Sequence, residues 1–198
     1  MEPKRCPWCL GDTLYTAYHD QEWGSPQHDN QKLFEALILD GAQAGLSWIT
    51  ILKRREGYRA AFDRMDPEKI ARYGDQDIER LMGDGRIIRN RRKIVSTIGN
   101  AQAYLAMMEG SCSFSTWLWN WVDGEPRINR FKTMSNVPAS TELSEKISKA
   151  LKKQGFSFVG PTIIYALMQA MGMVNDHLTD CFRHPECKPI DLTSSMEL

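Results

Sequence analysis

The longest apolar stretch of the chain covers residues 33–52, LFEALILDGAQAGLSWITIL. Dense apolar residues over this length predict a buried helix. Gly41 and Gly45 predict a break within it, and Ser47 is placed to cap a second helix that opens with Trp48. The stretch is therefore expected to form two core helices joined by a kink.

An ionisable side chain, Asp40, lies inside this apolar stretch. Burying a carboxylate is costly unless it is paired or has a function. Gln43, Leu46 and Trp48 bring an amide, an apolar side chain and an indole to the same kink. We interpret the kink as the floor and lip of a pocket for a flat, electron-poor ring. A helix corner whose carboxylate is hydrogen-bonded within the protein is the alternative.

Helical periodicity continues through most of the chain after Asp29, which is predicted to cap the first core helix. The other predicted helices are one from Ser47 to about Arg64, a short one opened by Asp66 and Pro67, one capped by Asp75 and ending near Gly83, one over Ile87 to Met108, a short one over Trp117 to Val122 after Ser113 or Ser115, two over about 140–153 and 161–172, and a last turn from Asn175. Residues 127–139 are predicted to form a loop, and no run alternates long enough for a strand. The predicted class is all-α, with one domain over residues 1–190 and a disordered tail over 191–198.

Composition excludes several classes of protein. The 198-residue chain is 42% hydrophobic and has 25 basic and 25 acidic residues, so its formal net charge is zero. This balance argues against a protein coated with basic charge, although a local patch stays compatible with it. The absence of a signal-peptide core or membrane-length segment predicts a cytoplasmic protein without membrane contact. Five cysteines without an export signal favour metal ligands or free thiols over disulfides.

Metal-type side chains occur near both ends of the chain. Cys6 and His19 lie near the start, and His177 and Cys181 lie near the end at i, i+4 spacing. Two thiolates and two imidazoles can complete a tetrahedral zinc site with no open position, which is the structural type. Such a site would join the aromatic N-terminal segment to the body of the protein.

Other uses of these side chains stay open from spacing alone. Cys6 and Cys9 have the CxxC spacing of a redox pair or of two metal ligands, with His184 and Cys187 as further candidates. A redox CxxC usually precedes a helix in a βαβ unit, and no such unit is predicted here. Unligated thiols are the remaining alternative.

Two stretches are candidates for phosphate binding. The sequence GFSFVG at 155–160, followed by Pro161 and Thr162, predicts a tight turn between helices with outward-pointing amides that bind an anion such as a DNA phosphate. An ordinary connection between helices is the alternative. The densest basic run comprises Arg86, Arg89, Arg91, Arg92 and Lys93. It is typical either of a surface that follows a phosphate backbone or of a solvated helix face.

Aromatic residues are concentrated in the first 28 residues, and one more lies at the kink. If they converge near Asp40, they form a cage for a planar cation, which each ring attracts by about 0.5–2 kcal/mol. The alternating Trp117, Trp119 and Trp121 are interpreted as core or interface residues. The candidate cage residues are Trp8, Tyr15, Tyr18, Trp23 and Trp48.

Five motifs together make this sequence resemble the bacterial 3-methyladenine DNA glycosylase I family, within the helix-hairpin-helix glycosylase superfamily. They are AYHDQEWG at 17–24, QAGLSW at 43–48, IIRNRRKI at 87–94, GFSFVG at 155–160 and VNDH at 174–177. The resemblance extends from about Cys6 to Cys181. It implies a helix-hairpin-helix fold whose ends are joined by structural zinc. It also implies a monofunctional enzyme that hydrolyses the N-glycosidic bond of 3-methyladenine in alkylated double-stranded DNA and releases the free base. A monomer is expected, although the sequence itself leaves the oligomeric state open.

The resemblance also implies roles for individual positions. The implied zinc ligands are Cys6, His19, His177 and Cys181, which leaves Cys9 and Cys187 without a role. The implied base-binding residues are Trp8, Tyr15, Tyr18, Trp23, Asp40 and Trp48, of which Tyr18, Asp40 and Trp48 are the catalytic candidates. The implied DNA contacts are Gly45, Leu46, Gly155, Phe158, Gly160 and Thr162. Leu46 would fill the gap left by the flipped nucleotide.

Two positions depart from the family pattern. Asp40 stands where the family usually has the longer Glu, and Arg86 stands where relatives often have Gly. Asp176, beside a predicted ligand, is given no catalytic role. Two competing functions are a zinc-stapled protein that binds lesions without excising them and a thiol oxidoreductase that depends on Cys9.

Overall fold

The computed structural model describes residues 2–186, and helices account for most of them. The helices are α1 (Thr13–Gln21), α2 (Asn30–Gln43), α3 (Trp48–Leu52), α4 (Arg55–Ala61), α5 (Pro67–Ile70), α6 (Asp75–Gly83), α7 (Arg91–Met108), α8 (Phe114–Trp119), α9 (Glu142–Lys153) and α10 (Pro161–Ala170). Single 3-10 turns occur at Pro7–Cys9, Asp63–Met65, Asn120–Val122, Met134–Asn136 and His184–Glu186. The predicted helical class is confirmed.

Helix α2 is the centre of the hydrophobic core. It begins after Asp29, whose carboxylate accepts a hydrogen bond from the Lys32 amide at 2.8 Å, as predicted. Leu33, Phe34 and Leu37 are fully buried, and α2 contacts α3, α7, α8 and α10. Each of these side chains stabilises the fold by roughly 1.5–3 kcal/mol through loss of water-exposed surface.

The second core helix is shorter than predicted. A continuous helix from Ser47 to about Arg64 was expected, but α3 ends at Leu52 and α4 ends at Ala61. Ser47 occupies the N-cap position, yet its hydroxyl pairs with Thr50 Oγ1 at 2.8 Å and caps no backbone amide. Asp63, Arg64 and Met65 have φ angles of 48°, 58° and 59°, which no right-handed helix accommodates.

The start of α7 also differs from the predicted start at Ile87. The Asn90 side chain accepts a hydrogen bond from the Lys93 amide at 3.2 Å and caps a helix that begins at Arg91. The Ile88 amide instead donates to the Tyr58 hydroxyl, so this residue belongs to the connection that precedes α7.

A small cap correction applies at α6. Asp75 was predicted to be the N-cap, but it is the first residue of the helix and the N-cap residue is Gly74. The Asp77 carboxylate accepts a hydrogen bond from the Gly74 amide at 3.1 Å.

A short parallel strand pair was not predicted. Strand β1 (Arg127–Ile128) pairs with β2 (Val174–Asn175), Arg127 opposite Val174. Two residues per strand are too few for alternation to appear in the sequence. The pair fixes the first part of the predicted loop beside the segment that follows α10.

The N-terminal segment packs onto the C-terminal part of the chain. The Gly24 amide donates to the Ala170 carbonyl at 3.3 Å, and the Phe182 amide donates to the Lys4 carbonyl at 2.9 Å. Trp119 is buried in the core as expected, and its indole N–H donates to the Gln27 carbonyl at 2.8 Å. The predicted tail over 191–198 lies outside the described residues.

Within residues 2–186, no helix combines the length and the apolar character needed to span a bilayer.

A glycine provides a test of this N-terminal packing. Gly172 has φ +70°, and a Cβ there would lie 2.5 Å from backbone atoms of Ser25 and Pro26. We expect Gly172→Ala to destabilise the protein by at least about 2 kcal/mol and to lower Tm by about 4–8 °C. The control is Gly99→Ala in α7, where nothing lies within 4 Å and the better helix former should stabilise the fold. Equal Tm values for Gly172→Ala and the parent in a thermal melt would contradict the contact.

Candidate active site

The predicted base-binding side chains line one cavity. Its volume is about 320 Å³, within the size range of small-molecule sites. The N-terminal segment, the C-terminal half of α2, the start of α3 and helix α10 form its walls. The predicted residues found there are Trp8, Tyr15, Tyr18, Trp23, Asp40 and Trp48.

The aromatic side chains contact one another around the cavity. The Trp8 ring centroid lies 4.9 Å from that of Tyr15 and 5.0 Å from that of Trp23, both at steep interplanar angles. The Tyr18 and Trp48 centroids are 5.6 Å apart. Tyr15 and Tyr18 share one face of α1 because they are three residues apart. Asp12 caps this helix by accepting from the Tyr15 amide at 3.2 Å.

Two buried polar atoms in the cavity wall have no hydrogen-bond partner among the described residues: Asp40 Oδ2 and Trp48 Nε1. Asp40 is only 3% exposed, and burial raises its pKa well above the usual value. Each unpaired buried group costs about 1–3 kcal/mol. The cavity therefore offers one acceptor and one donor that a ligand can satisfy, and the alternative of an internally bonded carboxylate is wrong.

A second cavity, of about 440 Å³, shares Tyr18, Asp40 and Trp48 with the first. Its outer wall carries Arg55, which is paired with Glu22 at 2.5 and 2.9 Å. The Asp40 carboxylate thus lies in a wall between two open spaces although almost none of its own surface is exposed.

Asp176 lines the cavity as well, but its environment is the opposite of that of Asp40. One carboxylate oxygen accepts from the Tyr165 hydroxyl at 2.6 Å and from Gln169 Nε2 at 2.8 Å. The other accepts from Asn129 Nδ2 at 2.6 Å. This carboxylate is hydrogen-bonded within the protein, which agrees with the absence of a catalytic role in the prediction.

The four predicted metal ligands meet in one buried cluster. Their ligand atoms all lie within 4.8 Å of one another. Cys181 Sγ is 3.4 Å from His19 Nε2 and 3.6 Å from His177 Nδ1, and Cys6 Sγ is 3.7 Å from His177 Nδ1. These four side chains can hold a metal ion.

Hydrogen bonds outside the cluster orient both imidazoles. His19 Nδ1 is 2.7 Å from Asp20 Oδ1, and the same carboxylate accepts from the Arg5 guanidinium at 2.9 Å. His177 Nε2 donates to the Trp23 carbonyl at 3.2 Å. Each histidine therefore turns its other ring nitrogen inward, as metal-binding histidines commonly do.

The two thiols of the cluster, Cys6 and Cys181, influence each other's pKa. A hydrogen bond between Cys6 and Cys181, followed by the hydrogen bonds from the imidazoles, lowers the pKa of Cys181. The same contact with Cys181, together with burial, raises the pKa of Cys6. One thiolate is thus already favoured inside the cluster.

The rival ligands lie elsewhere. Cys9 donates its thiol hydrogen to the Cys6 carbonyl at 3.1 Å, and burial raises the pKa of Cys9 to about 11, unlike a redox-active thiol. His184 Nε2 is bonded to the Asn129 carbonyl at 2.9 Å. Cys187 falls outside the described residues.

The turn between α9 and α10 is fixed from the interior. Asn100 accepts from the Ser157 amide at 2.8 Å and donates to the Ser157 carbonyl at 3.0 Å. Gly155 and Phe158 have φ angles of +92° and +53°. Within residues 2–186 the amides of Phe158 and Gly160 have no hydrogen-bond partner, so part of the predicted amide surface is available.

The other predicted DNA contacts occupy different positions. Leu46 is 39% exposed at the kink between α2 and α3, directly after Gly45, which has φ +78°. Thr162, in the first turn of α10, lines the cavity itself.

The basic run is largely occupied by internal contacts. Arg86 pairs with Asp84 at 2.7 Å, and Arg91 pairs with Glu79. Lys93 donates to two backbone carbonyls. Over residues 2–186, Arg89 and Arg92 are the members of the run without a hydrogen bond or an ion pair.

Comparison with known proteins gives one consistent result. The family model for methyladenine glycosylase matches residues 8–184. The chain belongs to the methyladenine glycosylase family.

Two curated proteins are similar to this family member over nearly their whole length. DNA-3-methyladenine glycosylase 1 of Escherichia coli (strain K12) is 52% identical over 186 residues, which are 94% of this chain and 100% of that protein. DNA-3-methyladenine glycosylase of Haemophilus influenzae is 50% identical and covers 89% of this chain and 96% of its own.

Solved structures agree with this family assignment. A crystal structure of 3-methyladenine DNA glycosylase I has a TM-score of 0.90 at 53% identity and covers 92% of this chain and 100% of its own. The enzyme from Staphylococcus aureus, studied for its recognition of 3-methyladenine, has a TM-score of 0.88 at 38% identity, with 91% and 96% coverage.

Several cavity residues of this family member were not predicted from the sequence. They belong to α10, to the β2 end and to the loop after β1, and the apolar ones resemble ordinary core residues. Asp176 could have been suspected because it is a charged residue in the VNDH motif. The additional lining residues include Met134, Val137, Pro138, Ala139, Tyr165, Gln169 and Asp176.

Because Asp40 is buried, we predict that replacing its carboxyl group stabilises the folded protein by an amount that depends on pH. Its raised pKa means that the folded state keeps the carboxyl proton to a higher pH than the unfolded state. The buried carboxyl group therefore destabilises the folded protein fully at pH values above its folded-state pKa. This destabilisation disappears as the pH falls towards the usual pKa of Asp. We expect Asp40→Asn to raise Tm at pH 8 by about 2–6 °C, equivalent to about 1–2 kcal/mol. Thermal melts between pH 4 and pH 8 should show the gain shrinking at low pH. A gain that is constant across this range would contradict the assignment of an ionising buried carboxylate.

Proposed function

We propose that this protein is a DNA-3-methyladenine glycosylase that hydrolyses the N-glycosidic bond of 3-methyladenine in alkylated double-stranded DNA and releases the free base. The observation that carries the proposal is the aromatic cavity with an unpaired buried acceptor on Asp40 and an unpaired donor on Trp48. A purine has flat faces for the rings and a polar edge for these two atoms. Aromatic-lined cavities serve several functions in proteins, and the family relationship favours this one.

The cavity accounts for binding of a flipped-out base. The rings of Tyr18 and Trp48 stack against its faces, and base–aromatic stacking contributes about 1–3 kcal/mol per ring. Asp40 accepts a hydrogen bond from the exocyclic amino group, and its carboxylate opposes the positive charge that methylation at N3 gives the base. Normal adenine lacks that charge and gains less from the carboxylate.

The bond cleavage requires little from the protein because the substrate is activated. Water adds to C1′ of the deoxyribose, the bond from C1′ to the base breaks, and its electron pair neutralises the cationic purine. The water loses a proton, and an abasic site and a free base remain. The protein unstacks the nucleotide, which costs a few kcal/mol, and holds the base in an orientation that permits departure.

Two surfaces engage the duplex in this proposal. The exposed Leu46 fills the gap left by the flipped nucleotide. The turn from Gly155 to Gly160 and the first turn of α10, including Thr162, bind a backbone phosphate through amides, in the helix-hairpin-helix manner. Phe158 places this turn against α2, since a Cβ on Gly41 would lie 3.4 Å from Phe158.

The buried cluster is proposed to hold one structural zinc ion. Zn–S bonds of about 2.3 Å and Zn–N bonds of about 2.0–2.1 Å at tetrahedral angles place S and N atoms about 3.6 Å apart. The observed S···N distances of 3.4 to 3.7 Å match such edges. Zinc there would have a closed coordination shell, so its contribution is to hold Trp23 and α1 at the cavity.

We also propose a monomer in the cytoplasm. Every proposed site residue comes from one chain, so no second copy is needed. A reducing compartment keeps Cys6 and Cys181 available as ligands.

The function is tested by base release. Purified protein should liberate 3-methyladenine from methylated duplex DNA, measured by chromatography of the released bases. Trp48→Ala removes a stacking surface and a donor, and we expect the single-turnover rate to fall at least about 100-fold. Trp117→Ala, at a half-buried tryptophan that packs on Trp121, is the control and should stay within a few-fold of the parent. Duplex binding without base release would favour a lesion-binding protein, and unimpaired excision by Trp48→Ala would contradict the cavity assignment.

The metal is tested by stoichiometry and stability. Elemental analysis should find one zinc per chain in the parent and in Cys9→Ser, and much less in Cys181→Ser. A strong chelator should lower the parent Tm by several degrees because metal binding stabilises the folded state. Loss of zinc from Cys9→Ser with retention by Cys181→Ser would overturn the proposed ligand set.

A further inference from the structure

Lys93 has an unusual position for a member of a basic run. Its ammonium group donates to the Ala42 carbonyl at 2.8 Å and to the Ala44 carbonyl at 2.6 Å. Ala42 lies in the last turn of α2 and Ala44 is its C-cap residue, and carbonyls at this end of a helix lack partners within the helix. The ammonium group thus caps α2 at its negative end.

The Ala42 and Ala44 carbonyls lie at the kink between α2 and α3, just before the exposed Leu46. The Leu46 amide donates back to the Gln43 carbonyl at 2.7 Å, and Gly45 supplies the left-handed conformation of the turn. Lys93 is therefore bonded to the backbone immediately before the exposed Leu46 side chain. Among residues 2–186, no other side chain donates to these two carbonyls.

Helix α7 holds the α9–α10 turn as well. The side chain of Asn100, two helical turns after Lys93, forms two hydrogen bonds with the Ser157 backbone and accepts a third from the Ser157 hydroxyl. The two contacts fall on one side of α7 because seven residues are close to two full turns. One rigid helix therefore fixes both the kink and the turn.

We infer that Lys93 is a positioning residue that holds the α2–α3 kink so that Leu46 enters the duplex in register with the phosphate bound by the α9–α10 turn. The inference rests on the proposed glycosylase function. Burial lowers the pKa of Lys93, which agrees with an ammonium group held within the protein instead of in solvent. A displacement of the Leu46 side chain by about 1 Å can lower the excision rate about 100-fold.

Lys93→Met keeps the length of the side chain and removes both hydrogen bonds. We expect the excision rate at saturating protein to fall 10- to 100-fold on duplex DNA. Affinity for free 3-methyladenine, followed by tryptophan fluorescence, should change less than twofold. The slope of log binding constant against log salt should stay unchanged, because Lys93 contacts no phosphate in this arrangement.

The neighbouring Arg92→Met is the matched control. It removes the same charge from an exposed position that does not touch the kink, so any loss that it causes should appear in duplex affinity and salt slope. Leu46→Ala completes a double-mutant cycle. Adding Lys93→Met to Leu46→Ala should lower the excision rate little further, because both substitutions remove the same action of the Leu46 side chain in the duplex. If Lys93→Met unfolds, Lys93→Arg and Lys93→Gln replace it, and Arg should retain more excision than Gln.

Three results would overturn the inference. One is a salt slope reduced by about 1 in Lys93→Met with an unchanged saturated rate, which would make Lys93 a phosphate contact. The second is free-base affinity that falls together with excision. The third is full additivity with Leu46→Ala. A parent protein that releases no base would contradict the proposed function, whereas an active parent with an unaffected Lys93→Met would contradict this inference alone.

Discussion

The meeting of Cys6 and His19 with His177 and Cys181 is the constraint on which the base cavity depends. The first 28 residues contain only short helical segments and add little to the main hydrophobic core. Cys6 and His19 lie on either side of Trp8, Tyr15 and Tyr18 in the sequence, and the cluster places them against His177 and Cys181 near the other end of the chain. Trp23 illustrates the coupling: its carbonyl accepts from His177, and its ring lies 4.6 Å from the same imidazole.

The two buried carboxylates of the cavity, Asp176 and Asp40, differ in their hydrogen bonding within the protein. Asp176 accepts three hydrogen bonds and behaves as a structural residue. Asp40, at the opposite wall, has an oxygen with no partner in the described part of the chain and a raised pKa. Leaving such a group unpaired destabilises the protein, and a ligand that donates a hydrogen bond to it would recover that free energy. The shorter Asp at this position still reaches the cavity.

The sequence allowed prediction of site residues whose side-chain type is unusual for its surroundings. It did not allow prediction of contacts between residues that are far apart in the chain. Asp40 inside an apolar run and His177 four residues before Cys181 could be singled out because charged or ligating side chains need a reason to occupy such positions. Lys93 was grouped with a basic run interpreted as either a phosphate-following surface or a solvated helix face, since nothing in a basic sequence shows that one ammonium group donates to backbone carbonyls within the protein. The loop around Met134 was predicted, but its position at the cavity was not, because the two-residue strand pair at its start leaves no periodic pattern in the sequence. The end of α4 at Ala61 was missed because the positive φ angles at Asp63, Arg64 and Met65, which are not glycines, have no strong local signal in the sequence.

The separation of the ligands along the chain affects biosynthesis. Cys6 and His177 are 171 positions apart, so the ribosome must incorporate His177 before the first side chain of the cluster can meet the third. During translation the early tryptophans and tyrosines have no fixed place, and an incomplete nascent chain cannot assemble a base-binding cavity. Because the cavity is lined by residues from Trp8 to Asp176, its walls are complete only after Asp176 has been synthesised.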